Sequence, residues 1–288
     1  MSAQAIRLSV IGAVIIGVVG FKMIAGNSVE KKLDQMVEKS HGSWSYEDAS
    51  VDIFGGDIHV DGIKIKNGNK DIVVNEVIIH SYDKDNEVPQ YMNFEVDGIQ
   101  IGKDVLATSP QLAKMAQDLG YEELEANLAM NYNVDKEKKV LELKELSFSV
   151  NDAGELDLKA DIHGITDVRQ LVILAMRPSA VKLGNASLTY EDDSLVNRMI
   201  KADAKKSGIT AAEAKQKILA DLQKDIQNYT AKKDTEKVKI LKEIYTFIED
   251  PESLEISLKP TKPVSIGAFK YLSNQELKDR LNVEISAD

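Results

Sequence analysis

The side chains that could do acid–base or metal chemistry in this sequence are four histidines and a large number of carboxylates. A metal site needs several ligands close together, and on a helix it often shows as two histidines four residues apart, as in His-Glu-x-x-His. That run does not occur, and the histidines are widely separated along the chain: His41, His59, His80 and His163. The sequence therefore predicts no metal site.

The carboxylates do not form a recognisable catalytic pair. Adjacent acids occur at Glu47-Asp48 and at Glu191-Asp192, but neighbouring residues on a strand point to opposite faces and cannot act on one substrate. The sequence contains no cysteine, no Gly-x-Ser-x-Gly elbow, no P-loop and no dinucleotide fingerprint. We therefore predict that the protein is not an enzyme and has no cofactor.

Several other acidic residues fit ordinary structural roles. Asp61 and Asp97 each precede a glycine within a strand-like run, which predicts a turn or bulge rather than a ligand. The run Asp83-Lys-Asp-Asn-Glu87 has the composition of a calcium loop without the spacing of its ligands. We predict a solvated loop at this position.

The residues whose pattern could bind an apolar ligand lie in an internal repeat. Residues 58–65 and 94–101 share Val-Asp-Gly-Ile with the same alternation, 36 residues apart. Each Asp-Gly pair interrupts the alternation once. A bulge there would return the flanking apolar side chains to one face, because glycine adopts backbone angles that other residues avoid. We predict that this face binds lipid through Val60, Ile63, Ile65, Val96, Ile99 and Ile101.

The elements that position this face are predicted to be strands of an antiparallel sheet. Apolar residues alternate from residue 43 onward, and runs at 124–134, 140–150 and 155–163 are joined by connections short enough for hairpins. The run at 140–150 is apolar on one face and polar on the other. One-sided sheets of this kind are antiparallel and need a cover. Either helices cover the apolar face, or part of it stays open as a groove.

Helical periodicity dominates residues 193–249. Thr210-Ala-Ala-Glu213 is a capping box, and apolar residues follow it at helical spacing, so we predict a helical hairpin or a three-helix insertion. Residues 193–250 contain 12 basic and 10 acidic residues, against 36 and 47 in the whole chain. The apolar stripes of this segment either dock a protein partner or pack against each other within the insertion.

The longest apolar run in the sequence covers residues 8–25. A helix rises ~1.5 Å per residue and the hydrocarbon core of a bilayer is ~30 Å thick, so this run is just long enough to cross it. We predict an uncleaved membrane anchor, with Lys22 reaching the headgroups from its end. A cleaved signal peptide is the alternative, although Met23-Ile24-Ala25 is a poor cleavage site.

A stripe of small residues recurs every four positions within the apolar run: Ser9, Ala13 and Gly17. Small residues let two membrane helices approach closely, so this stripe could pair two anchors. Such residues are also common in membrane helices in general, and the sequence leaves both possibilities open.

The orientation of the predicted anchor follows from its flanks. Lys22, Lys31, Lys32 and Lys39 outnumber Arg7, and taken literally the positive-inside count favours a cytoplasmic body. Long C-terminal domains, however, cross the membrane largely regardless of charge. We therefore predict a single-pass inner-membrane protein whose body lies in the periplasm of a bacterial-type envelope.

The charge of the chain excludes one large class of partners. The formal net charge is −11 at pH 7. An acidic protein is a poor partner for the phosphate backbone of nucleic acids and for anionic lipid headgroups. We predict no nucleic-acid partner and no broad electrostatic adhesion to lipid, and the predicted partners are the membrane, lipid and envelope proteins.

Three features of the sequence are similar to those of a known group of proteins. They are the N-terminal apolar run, the segment Val29-Glu-Lys-Lys-Leu33 and the Asp-Gly-Ile repeats at 61–63 and 97–99. In these features the chain resembles the AsmA-like and YdgA-like bacterial envelope proteins. The resemblance covers about the first 100 residues and, more loosely, the strands up to His163. It implies an anchored extracytoplasmic β-rich body in a class connected with envelope lipid homeostasis or transport. Residues 193–249 depart from that pattern.

These observations predict an α+β fold with an N-terminal transmembrane helix followed by a curved, mostly antiparallel β-sheet body with a helical insertion. The predicted parts are a membrane anchor, a linker helix, a β-rich body, a helical insertion and the C-terminal part of the body, at residues 1–26, 27–42, 43–192, 193–250 and 251–288. The predicted function is non-enzymatic binding or transfer of lipid along the apolar sheet face. The alternative is an envelope scaffold or assembly factor that docks a protein partner through residues 193–249.

Overall fold

The computed structural model describes residues 29–52, 55–67, 70–86, 88–107, 109–171, 178–269, 271 and 274–288. Within these ranges the chain is mostly antiparallel β-sheet with a few helices. The strands are β1 (Trp44–Ser45), β2 (Asp48–Val51), β3 (Ile58–Asn67), β4 (Lys70–Tyr82), β5 (Tyr91–Ile101), β6 (Leu124–Asp135), β7 (Val140–Val150), β8 (Gly154–His163), β9 (Lys182–Asp192), β10 (Ser253–Leu258), β11 (Val264–Ser265) and β12 (Val283–Ala287). The α-helices are α1 (Val29–Lys39), α2 (Lys103–Leu106), α3 (Pro110–Leu119), α4 (Leu195–Ser207), α5 (Ala211–Ala231), α6 (Thr235–Glu249) and α7 (Asn274–Leu281).

The described strands form one 12-stranded sheet in the order β1-β3-β4-β5-β6-β7-β8-β9-β10-β12, with β2 beside β3 and β11 beside β9. Every pairing among them is antiparallel. From β3 to β9 each strand pairs with the next one in the chain. The predicted hairpins before and after β7 are therefore confirmed, and positive φ angles at Lys139 and Asp152 close their turns.

The repeated Asp-Gly pairs lie two strands apart in the sheet, on either side of β4. Gly62 in β3 and Gly98 in β5 have φ angles of +61° and +63°, a region that glycine tolerates because it has no Cβ. The pairing of β5 with β6 shifts between Val96 and Ile99, so the predicted bulge is confirmed there. β3 pairs with β4 without a shift, because β4 interrupts its own alternation at the same level.

Strand β7 contains a bulge that the sequence pattern did not predict. Glu145 pairs with Asn131 and Leu143 pairs with Tyr132, so Lys144 is an extra residue in β7. Because of this extra residue, the apolar side chains before and after the bulge lie on the same face of the sheet.

The helices begin and end at the residues that the sequence marks. The Ser109 hydroxyl accepts the backbone N–H of Leu112 at the start of α3, and the helix ends at Gly120 with φ of +81°. The capping box predicted at Thr210 and Glu213 is confirmed at the start of α5. Helices α4, α5 and α6 occupy the chain between β9 and β10. Residues Val168–Gln170 form a short 3₁₀ turn.

The main hydrophobic core lies on the apolar side of the sheet. Helix α1 contributes Val29 and Leu33 to it. The sheet contributes buried side chains from β3 to β8, among them Ile58, Ile79, Met92, Tyr132, Leu141 and Ile162. A second, smaller cluster joins α4 to α5 through Ile200, Ala204 and Ala214.

The transmembrane helix in the predicted fold class was wrong. The prediction that the protein is a transmembrane, signal-anchored chain is corrected with it. Among the residues that the structure describes, no helix is long and apolar enough to cross a membrane. The longest, α5, has 21 residues, but its length is interrupted by charged side chains: Glu213, Lys215, Lys217, Asp221, Lys224 and Asp225. The run predicted to form the anchor, residues 8–25, lies outside the described residues.

Candidate apolar ligand-binding face

The apolar face of the sheet is organised in rows of side chains that run across the strands. Residues directly opposite each other in an antiparallel pair have their side chains on the same face. One such row, here called the central row, is paired without a break from β3 to β12. Its members are Val60, Val77, Val96, Leu128, Phe148, Leu156, Tyr190, Leu254 and Ala287.

Burial changes sharply along the central row. Val60 is 1% exposed, whereas Phe148 is 40% exposed and Leu156 is 41% exposed. The same change occurs along a single strand, since Leu141 in β7 is 0% exposed on the same face as Phe148. The apolar face therefore has a closed part and an open part.

The closed part is covered by chain segments from outside the strands. Ile165 and Val181, which follow β8 and precede β9, are buried in the core. The Tyr132 hydroxyl donates to the carbonyl oxygen of Pro89 at 3.2 Å, and burial raises the pKa of this tyrosine above its usual value. The side chains at this end are thus packed on both sides and leave little surface for a ligand.

The loop with calcium-like composition lies at this closed end. The buried Asp83 carboxylate accepts the backbone N–H of Gln90 at 2.9 Å, the side-chain amide of Asn86 at 2.8 Å and the backbone N–H of Asp85 at 3.0 Å. Burial opposes its ionisation, but these hydrogen bonds hold the pKa of Asp83 below its ordinary value. This aspartate therefore shapes the loop from within, while Lys84 and Asp85 are exposed, as predicted for a solvated loop.

The open part lies across β6, β7 and β8. It comprises two exposed side chains and four half-buried ones, here called the open band: Leu128, Met130, Leu146, Phe148, Leu156 and Leu158. These side chains are apolar and lie on one face. Phe148 and Leu156 are the exposed members of the band, and the other four also pack against the main core.

One end of the central row is covered by α6. The rings of Tyr190 and Phe247 meet edge to face, with centroids 6.0 Å apart. The Tyr190 hydroxyl donates to the Asp192 carboxylate at 2.7 Å. Burial, with help from this hydrogen bond, raises the pKa of Tyr190. The exposed stretch of the row therefore ends at β9.

A polar cluster around Arg198 fixes α4 beside the turn between β7 and β8. The guanidinium stacks over the Tyr121 ring at 4.4 Å and donates to the Ser194 hydroxyl at 2.9 Å and to the Leu119 carbonyl at 3.2 Å. It also forms an ion pair with Asp152 in the turn. Because all three of its nitrogens donate within the protein, this arginine holds the helix in place and is not free to bind a ligand.

The six residues predicted to bind lipid all lie on the apolar face but outside the open band, and Val96 borders the band because it pairs with Leu128. Val60 and Val96 belong to the central row. Ile63 and Ile99 both pair with Val74 of β4, in the row beside it. Val60 is buried, while the other predicted residues are half-buried: Ile63, Ile65, Val96, Ile99 and Ile101. These six side chains share one face, as the alternation indicated, and their binding of lipid stays a prediction. The pattern did not single out Phe148 and Leu156, because their exposure depends on which segments cover the sheet.

The opposite face of the same strands is polar and carries two histidine clusters. His80 lies 2.9 Å from Asp57 through Nδ1 and 3.0 Å from Glu95 through Nε2. Burial lowers the tendency of His80 to be protonated, but the two carboxylates outweigh it and raise the pKa of the imidazole. His59 lies 2.6 Å from Glu76. Within the described ranges, no group of three or more acidic, histidine or cysteine side chains could hold a metal ion.

The predicted anchor-pairing residues, Ser9, Ala13 and Gly17, lie outside the part of the chain that the structure describes. Pairing of two anchors through these residues stays a prediction.

Parts of the chain are similar to known proteins. Residues 147–288 match a protein family described as "Uncharacterized protein". An "Uncharacterized protein" from Aquifex aeolicus is 23% identical over 203 residues, which cover 66% of this chain and 64% of that relative. The matched portion thus spans somewhat less than two thirds of the relative's length. The family match includes three of the six residues of the open band, Phe148, Leu156 and Leu158.

Proposed function

We propose that the protein is a non-enzymatic binding protein that holds the acyl chain of a lipid along the open band. The observation that carries this proposal is the pair Phe148 and Leu156, which lie opposite each other in the central row and are each about two-fifths exposed. Soluble proteins rarely leave a contiguous apolar strip uncovered unless it contacts a ligand or partner. An acyl chain is apolar along its length and suits a strip without polar groups.

The size of the open band favours weak, reversible binding. Burying a whole Phe or Leu side chain stabilises by about 1.5–3 kcal/mol, so the exposed parts of Phe148 and Leu156 together offer about 2 kcal/mol. The four half-buried neighbours add smaller amounts. Such a strip would hold a chain long enough to pass it on, and therefore suits transfer better than storage.

The place of action belongs to the same proposal. We propose that the protein works on the periplasmic side of a bacterial inner membrane, where lipids are exchanged. This part is supported by the resemblance of residues 29–33, 61–63 and 97–99 to envelope proteins, and it does not require a membrane-spanning helix.

The test is native mass spectrometry of the full-length chain, prepared without detergent and incubated with an excess of phospholipid. We expect bound lipid on the natural chain and a large loss of it in the double variant Phe148→Asn and Leu156→Asn. The matched control is Met199→Asn on α4, which also changes an exposed apolar side chain but leaves the open band intact. A natural chain without lipid, or a double variant with as much lipid as the control, would count against the proposal.

The alternative proposal, a scaffold that docks a protein through residues 193–249, has one observation in its favour. Met199 in α4 and Ile209 after it are exposed apolar side chains. Part of the predicted stripe packs internally, because Ala214 and Ile226 are buried. Crosslinking from a probe at position 199 would test it: capture of a specific envelope protein is expected, and deletion of the segment without loss of function would contradict it.

A further inference from the structure

The apolar surface at the open band extends further across the strands than along them. Along β7, Leu143 is buried on one side of the band, and on the other side the strand ends two residues after Phe148. Across the strands, the central row runs unbroken from Leu128 in β6 to Tyr190 in β9. An acyl chain on this face therefore touches the most apolar side chains when it runs across the strands.

The length of this path matches one acyl chain of a membrane lipid. Neighbouring strands lie about 4.8 Å apart, so the three spacings from β6 to β9 cover about 14 Å. The hydrocarbon core of a bilayer is about 30 Å thick and contains two layers of chains, so one chain spans about 15 Å. A chain of ordinary length therefore fills the path from Leu128 to Tyr190.

Two aromatic rings close this path at β9. Tyr190 is half-buried in the central row, and the ring of Phe247, which is buried, meets it edge to face with centroids 6.0 Å apart. The Tyr190 hydroxyl donates to the Asp192 carboxylate at 2.7 Å. The two rings thus offer apolar surface to the path. The methyl end of an acyl chain can pack against them, whereas a charged head group there would lose its hydration.

Helix α6 holds Phe247 in place through contacts before and after it in the sequence. The Glu243 carboxylate accepts the backbone N–H of Ala287 in β12 at 3.1 Å. The Lys215 ammonium of α5 donates to the carbonyl oxygen of Glu249 at 2.8 Å. These contacts tie α6 to the sheet and to α5, so the ring does not depend on a ligand for its position.

We propose that Phe247 sets the longest acyl chain that the open band accepts. This inference rests on the proposed function and adds a selection for chain length to it. Beyond Tyr190 the central row continues through the half-buried apolar side chains Leu254 and Ala287. Loss of the Phe247 ring would open a cavity next to the row, and cavities with apolar walls take up apolar guests. A longer chain would then gain room for its end.

The test is a competition, read by native mass spectrometry, between lysophospholipids with one head group and acyl chains that lengthen in steps of two carbons. The full-length chain is incubated with an equimolar mixture of them. Each methylene that becomes buried tightens binding by up to about fourfold. For the natural chain, the bound fraction should therefore rise with acyl length and level off where the methyl end reaches Phe247. In Phe247→Ala we expect it to level off at least one step later.

Two further variants keep the test decisive if Phe247→Ala folds poorly. Leu156→Trp enlarges an exposed side chain that pairs with Tyr190 in the central row. It should move the levelling to shorter acyl chains. The matched control is Ile226→Ala on α5, which also truncates a buried apolar side chain but one outside the central row. It should keep the length profile of the natural chain.

The outcomes separate this inference from the proposed function. A natural chain that binds none of the lysophospholipids contradicts both. A natural length profile in folded Phe247→Ala or in Leu156→Trp leaves the proposed function standing and overturns the role of Phe247. A shift in Ile226→Ala as large as that in Phe247→Ala overturns it as well, because the effect would then come from loosening of the helices.

Discussion

The two ends of β7 differ in burial although they share one strand and one face. Leu141 is completely buried beneath covering segments, and Phe148, seven positions later, is among the most exposed large apolar residues of the described chain. Both are paired to apolar neighbours in β6 and β8. The sequence alternation assigns a side chain to a face, but the cover over that face decides whether the side chain supports the fold or meets a ligand.

The largest loss of stability is expected from a substitution at the closed end of the apolar face. Leu141→Ala removes buried methyl groups and leaves a cavity, so we expect it to lower the free energy of unfolding by about 2–5 kcal/mol. Phe148→Ala removes a larger side chain from the open band and should cost only about 1–2 kcal/mol, because two-fifths of that residue is already exposed to water. Urea denaturation of both variants measures the difference. Equal losses would mean that the open band is covered in solution.

A somewhat smaller effect is expected at the bulge that separates the covered part of β5 from its end. Gly98→Ala would place a Cβ in the left-handed region and against the Asn75 side chain, so we expect a loss of about 2–4 kcal/mol. Gly42→Ala has a similar φ of +73° with open space around it and should lose only about 1–2 kcal/mol. Thermal unfolding compares the pair, and an equal loss would remove the role assigned to close packing at Gly98.

The smallest expected effect concerns the polar face behind the closed end, where His80 links β4 to Asp57 and to Glu95 of β5. Its pKa is raised in the folded state, so its contribution to stability is fully present below the unfolded value of about 6.5 and is lost as the pH rises through the folded pKa. Other charged groups nearby are His59 and Glu76, which pair with each other.

We therefore expect stability to decline above pH 6.5 in the natural chain and this decline to become shallower in His80→Gln. The measurement is urea denaturation at closely spaced pH values on both sides of neutrality. NMR titration of His80 in the Glu95→Gln variant adds a second check, since loss of one carboxylate should lower the imidazole pKa. A slope unchanged by His80→Gln would show that the two carboxylates contribute nothing to stability.

The features that sequence predicted well are those that depend on neighbouring residues. The capping box at Thr210 and the hairpin turns around β7 depend on a few adjacent residues, and each lies where its pattern placed it. The bulge at Gly98 is of the same kind, because a glycine that interrupts an alternating run is itself a local signal of a bulge.

The features that sequence did not predict depend on contacts between distant segments. The bulge at Lys144 lies in a run without glycine, and the exposure of Leu156 depends on where the segment between β8 and β9 and the helices come to lie. Neither has a local signal. The membrane-spanning helix was predicted from hydropathy alone, and the described helices provide no such span.

The extra residue at Lys144 sets the phase of everything that follows it in β7. Removing it would leave the composition and length of the strand almost unchanged. Leu146 and Phe148, however, would then point to the polar face, and Ser147 would point to the apolar face in their place. The β7 part of the open band would then lie on the opposite surface of the sheet. A single deletion can thus exchange the two faces of β7 after the bulge. Any redesign of the open band therefore has to keep the extra residue at Lys144.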